Sequence, residues 1–70
     1  MEGSIKNHIK VWRAKKNMTQ ADLAKAIGSS RQAVNAIEKG KYVPSTLLAL
    51  KMAEVFSTTV EEIFEIEKSS

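Results

Sequence analysis

Arg31, Gln32 and Asn35 lie close together in the chain, and each ends in a group that hydrogen-bonds in a plane. An arginine can chelate the O6 and N7 of guanine. A glutamine or asparagine can chelate the N6 and N7 of adenine, and Ala33 between them is small enough to meet a thymine methyl. Gln20 opens the preceding helical pattern, where free backbone N–H groups favour anions such as phosphates. These residue types suit the edges of bases and the backbone around them. Spacing alone also allows an α-hairpin used only for packing.

Catalysis is not expected. The chain has one histidine, His8, and no cysteine. A metal site normally needs three or four ligands, and His8 has no partners at ligand spacing. The serines precede helical patterns and have no visible base. There is no glycine-rich phosphate loop. We therefore expect no enzyme, no cofactor, no metal and no small-molecule ligand. The acidic residues near the C-terminus read as a solvated face.

The elements that must hold these side chains follow from periodicity and caps. Ile5, Ile9 and Trp12 share one helical face, and Asn7 is a fair N-cap, so a first helix is expected over about 8–16. Ile5 also fits a short strand before it. Trp12 reads as a core anchor rather than a platform for single-stranded bases, which needs several aromatics. Thr19 with Asp22 forms a capping-box signal for a second helix, whose inner face is Leu23, Ala24 and Ile27. Gly28 ends it. Ser30 caps a third helix with Val34 and Ile37 inside, and Gly40 ends that one. Two helices joined by such a glycine turn can cross steeply, one over the phosphates and the other with its N-terminal half in the major groove.

After a loop at 41–44, Ser45 caps a fourth helix. Leu48, Ala49, Met52, Ala53 and Phe56 form its buried stripe. Leu47, Leu50 and Val55 lie off that stripe, more apolar surface than one face needs. Thr59 with Glu62 reads as a second capping box, opening a helix of one or two turns. Residues 63–67 then alternate by two, a short terminal strand that can pair with residues 4–6. Residues 1–4 and 68–70 are expected to be frayed, leaving an ordered core of about 5–67.

Seventy residues make one small domain with a marginal core. No cysteine is present for disulfides, so stability must come from helix packing or a partner subunit. No apolar run approaches the roughly 20 residues of a membrane span. Nothing at the N-terminus resembles a signal peptide, and the expected location is cytoplasmic, with no membrane partner. Charge is divided along the chain. Residues 1–43 carry nine Lys/Arg against three Asp/Glu (+6), and residues 44–70 carry two against five (−3). A basic half that contains the paired helices suits a polyanion.

The run over residues 9–64 resembles the helix-turn-helix family of phage repressors and Cro proteins, the Xre family. The matching residues are Ile9, Trp12-Arg13, Met18-Thr19-Gln20, Leu23-Ala24, Ile27-Gly28 and Ser30-Arg31-Gln32. They continue with Val34, Ile37-Glu38, Gly40, Pro44-Ser45 and Val60-Glu61-Glu62-Ile63-Phe64. The resemblance implies an all-α fold, a compact bundle of about five short helices with the lambda repressor-like DNA-binding arrangement. It also implies a short two-stranded β-ribbon joining the termini. By position, Gln20 would bind a phosphate and brace the start of the recognition helix. Arg31, Gln32 and Asn35 would meet bases or nearby phosphates, and Ser30, Lys39, Lys41 and Tyr42 would meet phosphates. Arg13 and Glu38 match a buried structural ion pair, whose breakage costs about 3–5 kcal/mol. Trp12 and Thr46 depart from the family pattern. So do Ala33 and Ala36, which stand where many members place a polar base-reader. That departure implies fewer direct base contacts and more reading of DNA shape.

The function expected from these readings is a sequence-specific, double-stranded DNA-binding regulator, acting as a repressor. One helix reads too short a site, so a homodimer on a pseudo-palindrome is expected, with half-sites about 34 Å apart. Leu47, Leu50, Val60 and Ile66 are the candidate dimer surface, the alternative being a single monomer core. No effector domain is expected in a chain of seventy residues. A different class, an antitoxin-like interaction module that also binds its own promoter, usually carries an extra partner-binding segment. An RNA or single-strand binder is disfavoured because the chain has only four aromatics, two of them core candidates.

Overall fold

The computed structural model describes residues 3–68. Its order is β1 (Gly3–Asn7), α1 (Ile9–Lys15), α2 (Gln20–Ile27), α3 (Arg31–Glu38), α4 (Thr46–Phe56), α5 (Val60–Ile63) and β2 (Phe64–Lys68). The five helices pack around Ile9, Leu23, Ile27, Val34, Ile37, Met52, Phe56 and Ile63, all at most 2% exposed. Every helix sends at least one residue into this core, so no helix can be displaced without opening it. The two strands pair antiparallel, with Ile5 opposite Ile66 and Lys6 opposite Glu65. Alternation by two in residues 63–67 therefore marks a real strand, and the ribbon joins the two ends of the chain.

The local signals around α2 and α3 are realised as bonds. Thr19 Oγ1 accepts from the Asp22 N–H at 3.0 Å, and the Asp22 carboxylate accepts from the Thr19 N–H at 2.9 Å. Gly28 closes α2 at φ 71°, a left-handed position that glycine adopts without a steric clash. The Ser29 N–H then reaches back to the Ala24 carbonyl at 2.8 Å. Ser30 caps α3 through the Ala33 N–H at 3.0 Å, and Ser45 caps α4 through the Leu48 N–H at 3.1 Å. Gly40, at φ 75°, turns the chain out of α3.

Four expectations need correction. Asn7 is not the N-cap of α1. It is the last residue of β1, and His8 takes the cap position without a side-chain bond. Asn7 acts from one residue earlier, where its Oδ1 accepts from the Ile9 N–H at 3.2 Å. The second capping box does not form either, since Thr59 makes no side-chain cap bond. In this single-turn helix the Glu62 N–H bonds the Thr59 carbonyl at 3.1 Å instead. Gly3 and Ser4 are not frayed, because they pair with Lys68 and Glu67. For the same reason Lys68 is a strand residue. The remainder of those terminal expectations, on residues 1–2 and 69–70, lies outside the described residues.

Trp12 packs as an anchor. Its ring stacks on Phe56 with centroids 6.2 Å apart, and its Nε1 donates to the Glu62 carbonyl at 3.1 Å. Lys15 Nζ lies 4.4 Å from the ring centroid on α1. With the His8 N–H bonded to the Ile63 carbonyl at 2.7 Å, this fastens α5 to α1.

Candidate nucleic-acid interface

Helix α3 divides into two faces. Val34 and Ile37 are buried, while Arg31 and Gln32 are exposed and Asn35 is half-buried. Ser30 is exposed at the N-terminus, and Ala33 and Ala36 are half-buried along the flank. Gln20, Arg31, Gln32 and Asn35 together line a shallow recess of about 210 Å³. The four polar residues read from the sequence as a reading surface are thus brought side by side. Lys39, Lys41 and Tyr42 are exposed just beyond the other end of α3. An eight-residue helix is roughly 12 Å long, close to the roughly 12 Å width of a major groove. Cationic side chains stand at both ends of such a helix, where the flanking phosphates of a groove would run.

The inner side of this surface is one hydrogen-bond network. Arg13 Nε donates to Glu38 Oε2 at 2.7 Å, and Nη2 donates to Glu38 Oε1 at 3.1 Å. The third arm, Nη1, donates to the Met18 carbonyl at 3.0 Å, at the start of the segment leading into α2. The pair is largely shielded, with side chains 15% and 11% exposed. Bonding to Glu38 raises the Arg13 pKa above its ordinary value, against the opposing effect of burial. One guanidinium therefore joins α1, the α1–α2 connection and the end of α3.

Gln20 extends the network. Its Nε2 donates to Glu38 Oε1 and to Asn35 Oδ1, each at 3.2 Å. Gln20 therefore braces the second turn and the last residue of α3, not its start. Asn7, which sequence reasoning placed only as a helix cap, contributes as well. Its Nδ2 donates to the Ile37 and Glu38 carbonyls at 3.1 and 3.3 Å. These are the C-terminal carbonyls that a helix leaves without internal partners. No local signal could have shown this, because the two ends of the contact are 30 and 31 residues apart.

The surface outside α3 is different in character. Leu47, Leu50 and Ile66 are 60%, 55% and 70% exposed, and Ile5 and Val43 add 43% and 61%. Val60 is half-buried and packs against the core, so it offers less free surface than the others. His8 Nε2 lies 3.4 Å from Glu65 Oε1. Among the described residues no cluster of three or more His, Cys, Asp or Glu could hold a metal ion. No helix among them is long and apolar enough to cross a membrane.

Two capped helices crossing at a left-handed glycine, with the second presenting a polar outer face, define a helix-turn-helix DNA-binding domain. A family model described as Helix-turn-helix matches residues 9–63. An uncharacterized HTH-type transcriptional regulator of Methanocaldococcus jannaschii is 54% identical over 63 residues, covering 90% of this chain and 96% of its own. Another, from Bacillus subtilis, is 46% identical over 66 residues, covering 94% of this chain and 100% of its own. A candidate DNA-binding protein from Bacteroides fragilis has a similar crystal structure, with a TM-score of 0.78 at 28% identity. That match covers 87% of this chain and 98% of the other. The chain belongs to the Xre, or lambda repressor-like, family of helix-turn-helix transcriptional regulators, a DNA-binding and non-enzymatic class.

Proposed function

We propose that this protein is a sequence-specific repressor that binds a pseudo-palindromic operator as a homodimer, with α3 in the major groove. The observation that carries the proposal is the recess where Arg31, Gln32 and Asn35 converge with Gln20. Arg31 and Gln32 are exposed and extend from the first turn of α3, the part of a recognition helix that reaches base edges. Ser30, Lys39, Lys41 and Tyr42 are the phosphate contacts, and Ala33 meets a thymine methyl. The exposed apolar residues Leu47, Leu50 and Ile66, flanked by Val60, form the dimer surface in this reading. Their exposure supports it, because contiguous apolar surface on a small soluble domain favours a partner. Two subunits related by a two-fold axis would place their α3 helices about 34 Å apart, on successive major grooves. Repression then follows from occupying the promoter. Cytoplasmic location belongs to the same proposal.

Selection of bound duplexes from a random pool tests this reading. A consensus with two-fold symmetry, and half-site centres about one helical turn apart, is the expected result. Recovery of duplexes without a shared sequence would overturn it.

A further inference from the structure

The hydrogen-bond network behind α3 fixes which amide atoms face outward. Both oxygens of Glu38 are held by the Arg13 guanidinium, which has only donors, so this carboxylate acts as an acceptor. The Gln20 atom 3.2 Å from Glu38 Oε1 must then be its amide nitrogen. That same nitrogen lies 3.2 Å from the Asn35 amide, so the Asn35 atom facing it must be oxygen. Because the guanidinium at the head of the network can only donate, each amide has a single orientation left. Gln20 spends both of its N–H groups inside the protein and leaves only Oε1 free. Asn35 turns Oδ1 inward and leaves Nδ2 facing outward.

We infer that Asn35 is a specificity-determining residue that presents only donors to DNA, with Gln20 and the Arg13–Glu38 pair as the residues that set this polarity. The inference rests on the proposed placement of α3 in the major groove. A bidentate asparagine–adenine pair needs Oδ1 on the adenine N6 amino group and Nδ2 on N7. With Oδ1 turned inward to the Gln20 amide, it is not aimed at the N6 of an adenine whose N7 meets Nδ2, and that pair is disfavoured. The outward Nδ2 instead suits an edge rich in acceptors: guanine with O6 and N7, or thymine with O4. Cytosine, whose major-groove group is the N4 donor, is excluded at this position. Gln20, with only an acceptor left on its side chain, is a poor phosphate ligand. A phosphate at the start of α2 would be met by backbone N–H groups instead.

The test has one arm without DNA and one with it. In the free protein, amide exchange should show both Nε2 hydrogens of Gln20 protected and both Nδ2 hydrogens of Asn35 exchanging freely. The opposite pattern would overturn the polarity assignment whether or not the protein reads DNA. In the second arm, the base position read by residue 35 is identified as the one where Asn35→Ala loses preference. Wild type should prefer guanine or thymine there, and Asn35→Asp should shift the preference to adenine or cytosine by about ten-fold. Gln20→Ala, which frees the Asn35 amide to turn, should reduce the wild-type discrimination against adenine by a similar factor. Adenine preferred by wild type, or the same preference in wild type and Asn35→Asp, would overturn the inference. If wild type selects no consensus at all while the exchange pattern holds, the groove placement fails and the polarity stands.

Discussion

Arg13 grips both carboxylate oxygens of Glu38, at 2.7 and 3.1 Å, across 25 residues of sequence. The contact ties the first helix to the last residue of α3. A two-pronged bond of this kind fixes orientation as well as distance. Its third arm on Met18 and the Gln20 bond to the same carboxylate make it the hub behind the outer face of α3.

Removing one partner should therefore cost more than removing both. Arg13→Ala leaves Glu38 shielded and without its cation, a loss of about 3–5 kcal/mol. For a domain of this size each kcal/mol is worth roughly 4–8 °C. The melting temperature should fall by more than about 10 °C. The double variant Arg13→Met/Glu38→Met should recover much of that loss, since a well-packed apolar pair is often neutral. Calorimetric melts decide it. An unchanged melting temperature in Arg13→Ala would sink the structural role of the pair.

The cap of α2 gives an acid-sensitive contribution. The Thr19 N–H, and secondly the Thr19 side chain, hold the Asp22 carboxyl below its ordinary value of 3.8. A carboxyl depressed in the folded state stabilises the fold above its unfolded pKa. That contribution is lost as pH falls through the folded pKa. Wild type should exceed Asp22→Ala in melting temperature near neutral pH, and the gap should close as pH falls below the ordinary carboxyl value of 3.8. A gap that stays constant over that range would mean the carboxylate is not the source.

Much of this was legible in sequence because caps are local. Thr19, Ser30 and Ser45 bond N–H groups three residues ahead, and Gly28 and Gly40 turn the chain where it must leave a helix. The strand pairing was legible from alternation. What was not legible depends on distant contacts. Asn7 has the residue type of a cap, yet its amide nitrogen serves α3. Thr59 and Glu62 have cap spacing, but a helix of one turn uses the relevant N–H for its own tight turn. The Gln20 bonds to Asn35 and Glu38 depend on the crossing angle of two helices, which no residue pattern states.

The proposed dimer surface makes its own prediction. Leu50 is 55% exposed and lies outside the buried core. Leu50→Glu should melt close to wild type while sedimenting as a monomer at concentrations where wild type is a dimer. It should also lose affinity for a two-half-site duplex much more than for a single half-site. Equal sedimentation of the two proteins as dimers would move the interface elsewhere.

The most direct measurement is the affinity of Arg31→Ala and Gln32→Ala for the selected operator, beside the same proteins' melting temperatures. Normal melting is predicted, because both side chains are exposed. Binding should weaken by about 1–3 kcal/mol for each base-reading side chain removed. Discrimination against an unrelated duplex should shrink with it. Wild-type affinity and wild-type discrimination in both variants would contradict this role, and would mean that α3 is not the helix that reads the DNA.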